Sequence, residues 1–160
     1  MGEALGNWKR EGVLRVDSIL QVAQERLATV GDDALLIDAA RLLNGPQFNL
    51  VVVCDGSGKA VGVITKTDVV SRISYCTGCS CSMPATQVMT TDIVSCRPSD
   101  LLSDVWSALK VRGLKNVPVL DHQSAPIGVA NARDVLQSLL QDVEYEEKML
   151  HDYVMGVGYR

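Results

Sequence analysis

Sliding the 160-residue sequence against itself by 66 positions aligns residues 27–73 with residues 93–139 without a gap. Leu35, Leu36 and Asp38 meet Leu101, Leu102 and Asp104, and Leu43 meets Leu109. Val51, Val53 and Asp55 meet Val117, Val119 and Asp121, while Gly62, Val63, Asp68 and Val69 meet Gly128, Val129, Asp134 and Val135. The chain holds two copies of one unit, so whatever fold it adopts is built twice.

Each copy reads as helix, strand, strand, helix. Asp32 or Asp33, and Ser99 in the second copy, are suited to cap the first helix. They precede apolar residues at 35, 36, 39, 42 and 43, or at 101, 102, 105, 108 and 109, which share one helical face. After Gly45-Pro46 or Arg112-Gly113 come continuous apolar, β-branched runs, residues 50–54 and 117–120, which predict buried strands. The turns Asp55-Gly56-Ser57-Gly58 and Asp121-His122-Gln123-Ser124 join them to second strands at 60–64 and 127–130. Helices follow at 66–73 and from Ala132 onward. The fold class is α+β, with helices covering one face of each small sheet. One such unit buries too little surface to be stable alone, so the two are expected to pack as a pseudo-two-fold pair. The chain divides into an N-terminal extension (1–15), a first unit (16–73), a Cys-containing linker (74–86), a second unit (87–140) and a C-terminal helical extension with its tail (141–160).

Composition closes off several function classes. With 47% hydrophobic and 21% charged residues the chain is neither disordered nor a disulfide scaffold. A net charge of −4 gives no general attraction to nucleic acid or an anionic membrane, so any phosphate site must be local. No apolar run has the length of a membrane span, and the start, MGEALGNWKREGVLR, lacks a secretory signal's apolar stretch. Five cysteines, an odd number with three bunched together, suit a reducing compartment, and the expected location is the cytoplasm.

The strand-to-helix junctions carry the chemistry. In Gly62-Val63-Ile64-Thr65-Lys66-Thr67-Asp68, Thr65 stands where an N-cap belongs and Asp68 three residues on. This is a capping box, or it is a ligand site: free N–H groups at a helix start attract phosphate, and a carboxylate one turn in can accept both hydroxyls of a ribose. Gly62 then allows close approach to the backbone. The second junction keeps Gly128 and Asp134, offers Asn131 as cap, and adds Arg133 as a cation for phosphate. Recurrence at equivalent places in a repeat favours a ligand site.

With its paired units, the strands Val51-Val52-Val53 and Val117-Pro118-Val119, the G-x-x-T-x-x-D motif at 62–68 and Val88-Met89-Thr90-Thr91 opening the second unit, the sequence resembles the CBS-domain family over residues 16–140. The resemblance implies a regulatory module that binds AMP, ADP, ATP or S-adenosylmethionine in clefts between the two units, forms a homodimer, and signals to a regulated protein without being an enzyme. Carried over by position, one cleft uses Val63, Thr65, Thr67 and Asp68 with Met89, Val94, Leu114 and Lys115. The other uses Val129, Asn131, Arg133 and Asp134 with Ala28, Phe48 and Asn49. Asn131 replaces the family's usual Ser or Thr, and Val52 a common Pro. Lost clefts would leave a purely structural dimer.

A different function class rests on Cys76, Cys79 and Cys81, three thiols close enough to clasp zinc or another thiophilic metal, with Cys96, His122 or a second chain completing the set. The same thiols also suit a redox-sensitive pair or an idle linker. His122 and His151 are expected on the surface, and Trp106 in core or dimer packing. The last helix continues past the unit with Val135, Leu136, Leu139, Leu140, Val143, Met149, Leu150 and Tyr153 at helical spacing; this face either packs on the chain's own sheets or docks on a second subunit, and the second is the expectation.

Overall fold

A computed structural model describes residues 14–75 and 82–154. The first repeat contains α1 (Leu20–Glu25, entered through a 3-10 turn Val16–Ile19), β1 (Thr29–Gly31), α2 (Leu36–Leu43), β2 (Leu50–Cys54), β3 (Ala60–Thr65) and α3 (Lys66–Tyr75). The second contains a 3-10 turn (Ala85–Gln87), α4 (Leu102–Arg112), β4 (Asn116–Leu120), β5 (Pro126–Asn131) and α5 (Ala132–Val154). The α+β architecture is the one the periodicities predict.

The 66-residue repeat is visible in the register itself. In the first sheet β2 runs antiparallel to β3, with Leu50 opposite Thr65 and a register shift after Val53. In the second, β4 opposes β5 with Asn116 opposite Asn131 and the shift after Val119. β1 adds to β2 in parallel, Val30 opposite Val53. Its counterpart in the second repeat is reduced to one parallel bridge, Cys96 to Val119. Continuous β-branched sequence suits these central strands because both faces are covered, and Val51, Val52, Val53 and Val119 are wholly buried.

The helix starts differ from expectation. Neither Asp32, Asp33 nor Ser99 caps a helix: Leu35 and Leu101 occupy the N-cap positions. The physical reason lies across the molecule. The first helical N–H of α2, on Leu36, donates to the Met83 carbonyl at 2.7 Å, and that of α4, on Leu102, donates to the Leu14 carbonyl at 2.9 Å. Asp38 also accepts the Leu35 N–H at 3.1 Å. Donors that a side-chain cap would satisfy are thus taken by the segment leading into the other repeat.

Those leaders interleave the cores. Val16, Ile19 and Ala23, which open the first repeat, are buried with Leu102, Val105, Leu109, Val117, Val119, Ala130 and Val135 of the second. Ala85, with Met83, Val88 and Met89 packed beside it, joins Leu36, Ala39, Leu43, Val51, Val53 and Ile64 of the first. A third cluster, Leu50, Val52 and Val129 with Leu27 and Val63 against it, seals the seam between the sheets. Trp106 packs half-buried on the second core, with the Lys110 ammonium 6.0 Å from its ring centre.

Both hairpins are organised by one aspartate. Asp55 accepts the N–H of Ser57 at 2.9 Å and of Lys59 at 3.0 Å, plus the Ser57 hydroxyl at 2.6 Å. Asp121 accepts the N–H of Gln123 at 2.8 Å and of Ala125 at 2.9 Å. The Ser57 bond above all, with the Lys59 N–H, lowers the Asp55 pKa, and the Ala125 and Gln123 N–H groups lower that of Asp121. A carboxylate with a depressed folded-state pKa binds fewer protons when folded than when unfolded. Its contribution is therefore fully present above the ordinary value of about 3.9 and is lost as pH falls through the folded value. The double substitution Asp55→Asn, Asp121→Asn is expected to flatten the acid limb of stability below about pH 4. Urea midpoints at pH 3 and pH 6 measure this, and an equally steep loss in variant and parent refutes it.

Candidate functional site

At the first junction the chain passes from β3 into α3 through Thr65. The Asp68 carboxylate accepts the Thr65 N–H at 2.9 Å and the Thr65 hydroxyl at 3.0 Å, both on Oδ2, while the Asp68 N–H donates to the Thr65 hydroxyl at 3.3 Å. The capping box is formed, and among the described residues Asp68 Oδ1 has no hydrogen-bond donor. Thr67 is exposed beside it. The capping and ligand readings are therefore compatible: one carboxylate oxygen holds the helix start, and Asp68 as a whole stays partly exposed.

The second junction is arranged differently. Asn131 acts as the expected cap, its side-chain oxygen accepting the Arg133 N–H at 2.9 Å and its amide donating to Asn116 at 2.8 Å. Asp134 has both oxygens on the Arg26 guanidinium, Nε to Oδ2 at 2.6 Å and Nη2 to Oδ1 at 3.1 Å. Sequence reasoning missed Arg26, which lies 108 residues from Asp134. Its place two residues before Ala28 was the only hint.

The two motif glycines serve packing inside the protein, which corrects the expectation that Gly62 opens the backbone to a ligand. A Cβ on Gly62 would fall 2.3 Å from Met89 Sδ, and one on Gly128 would fall 2.9 Å from the Ala23 Cβ. Met89 and its neighbour thus dock on the first repeat, where Thr90 and Val63 exchange backbone bonds at 3.0 and 2.8 Å.

The remaining site residues separate into groups. Val63 and Val129 meet in the seam cluster, at the floor between the repeats. Ala28 is buried and its carbonyl accepts the Val52 N–H at 2.9 Å. Phe48 packs on the first core, and the Asn49 side-chain oxygen accepts from Lys66 at 3.5 Å, on its own repeat. The Lys115 carbonyl accepts the Ala132 N–H at 2.8 Å, which ties Leu114-Lys115 to the start of α5. Val94 lines a cavity of about 270 Å³ with Cys96, Asp100, Asp104 and Val105.

Cys76, Cys79 and Cys81 lie outside the described residues. Among the described residues no group of three His, Cys, Asp or Glu is placed to hold a metal. Cys96 is buried in the second core, where burial, reinforced by Asp100, pushes its thiol up to about 12. His122 sits exposed in its hairpin turn. Iodoacetamide at pH 8, read by peptide mass spectrometry, is expected to leave Cys96 unmodified until denaturant is added; labelling in the native protein would show that the second core opens.

No helix among the described residues is long and apolar enough to cross a membrane. The family profile of the CBS domain matches residues 16–75 and 85–141. Over 137 residues the chain is 29% identical to arabinose 5-phosphate isomerase KdsD of Salmonella typhimurium, which covers 86% of this chain but only 40% of that enzyme. Its fold resembles that of the CBS-domain containing protein ATU1752 from Agrobacterium tumefaciens, with a TM-score of 0.68 at 23% identity over 78% of this chain and 98% of that one. The CBS domain pair of protein MJ0100, solved in complex with 5-methylthioadenosine and S-adenosyl-L-methionine, superposes with a TM-score of 0.67 at 18% identity over 79% of this chain and 96% of that one. Two repeats with matching registers, each matched by the same profile, place the chain in the CBS-domain family.

Proposed function

We propose that the protein is a regulatory module of the cytoplasm that binds an adenosine ligand, an adenine nucleotide or S-adenosylmethionine, between its two repeats and signals to a partner protein without catalysing a reaction. The observation that carries this is Asp68, held at the first turn of α3 by Oδ2 alone, with no donor on Oδ1 among the described residues, at a helix start of the kind that attracts anions. A related fold with adenosine compounds bound supports it. Val63 and Val129 form the apolar floor, Thr67 supplies an exposed hydroxyl for the phosphate, and Thr65 holds Asp68 in place with its own. A ligand contacting both repeats favours one relative orientation of them over another, and that difference in affinity is the signal. A second copy of the chain has a place on α5, where Leu140, Val143, Met149 and Leu150 are exposed at 52%, 48%, 55% and 64%. Asp68→Ala is expected to weaken AMP binding on the order of 10- to 100-fold by calorimetry, while losing only about 1 kcal/mol of stability with its cap. Unchanged affinity in a folded variant removes Asp68 from the site.

A further inference from the structure

We infer that Arg26 selects the ligand of the cleft at Asp134, admitting an adenosine ligand only when it carries an anionic group. The inference rests on the adenosine reading above and names the ligand class of one cleft. Arg26 closes α1, and α1 is anchored against β5 by the burial of Val16, Ile19 and Ala23 in the second core, with Ala23 packed directly on Gly128. The guanidinium is thereby held over the start of α5, where it takes both oxygens of Asp134, with 23% and 13% of the two side chains exposed.

The repeat shows that this pair is no requirement of the fold. Sixty-six residues on from Arg26 stands Asp92, of opposite charge, and the counterpart of Asp134 is Asp68, whose partner is Thr65. Among the described residues the first repeat keeps the same strand register with no such pair at its junction. What the pair changes is access. A ribose that docks its two hydroxyls on Asp134 competes with the fork for the same oxygens, and a displaced guanidinium in a partly desolvated place needs another anion. A phosphate supplies one, and the exposed Arg133 beside Asp134 adds a second cation at the same helix start. An uncharged nucleoside leaves Arg26 unpaired. The opposite charge at Asp92 places no such demand on the first cleft.

AMP and adenosine, which differ only in the phosphate, are the probes, titrated calorimetrically into the full chain carrying Asp68→Ala so that the Asp134 cleft is read by itself. The expected result is a preference for AMP of at least about tenfold, reduced to within about threefold by Arg26→Gln and largely retained by Arg26→Lys. Thermal melts of each variant establish that it is folded. The inference is overturned if the AMP-to-adenosine ratio is the same in Arg26→Gln. It is also overturned if the parent binds AMP but the Asp68→Ala chain binds neither probe, since the second cleft then takes no such ligand. Absence of binding by the unsubstituted protein overturns the adenosine reading itself, and the inference with it.

Discussion

Gly128→Ala is expected to destabilise the protein by about 2–3 kcal/mol, a fall in Tm of roughly 4–12 °C. A methyl group at Gly128 would meet the Ala23 Cβ at 2.9 Å, the Ala23 carbonyl carbon at 3.0 Å and its oxygen at 3.2 Å. Two of these three atoms are backbone. They belong to α1, which is fixed by Val16 and Ile19 in the second core and by Arg26 on Asp134, so relief requires a helix to move. Gly62→Ala gives the contrast. Its methyl group would fall 2.3 Å from Met89 Sδ and 2.6 Å from Met89 Cγ, atoms of a flexible side chain that can swing aside. The expected loss there is about 1 kcal/mol, and combining it with Met89→Ala should show favourable coupling, whereas Ala23→Gly should not rescue Gly128→Ala because the backbone clash remains. Urea unfolding of the four single and two double variants decides the matter; a larger loss at Gly62 than at Gly128 would mean that α1 yields more readily than Met89.

The contrast between these glycines marks where the sequence is legible. Both glycines stand out in the repeat, and both suggest that something approaches the backbone closely. What approaches them is set by the leaders, whose partners lie in the other repeat. The hairpins and central strands could be read because their determinants are local: a β-branched run, an aspartate, a turn. Asp32, Asp33 and Ser99 have the right chemistry for caps, but the N–H groups they would serve are satisfied by Met83 and Leu14. The capping box at Thr65 and Asp68 was readable because all its atoms lie within four residues. The Arg26 pair was not, since no local pattern announces a partner across the molecule.

The same interleaving predicts that neither half folds alone. A fragment of residues 79–160 lacks Val16, Ile19 and Ala23, which in the full chain are 0%, 4% and 0% exposed within the second core. Burying a valine or isoleucine side chain contributes about 1.5–3 kcal/mol, so losing this leader removes an amount comparable with the entire stability of a small domain. The fragment 1–78 lacks Ala85 and the neighbouring Met83 and Met89, which complete the first core, and its Leu36 N–H loses the Met83 carbonyl. Each half is expected to show no cooperative thermal transition by far-UV circular dichroism, and equimolar mixing to restore one. Melts at several concentrations distinguish a half that folds by pairing with itself, using its own leader on a second copy, because that transition rises with concentration. A concentration-independent transition of fragment 79–160 alone, at the full chain's Tm, would show that the second core is complete without the first leader.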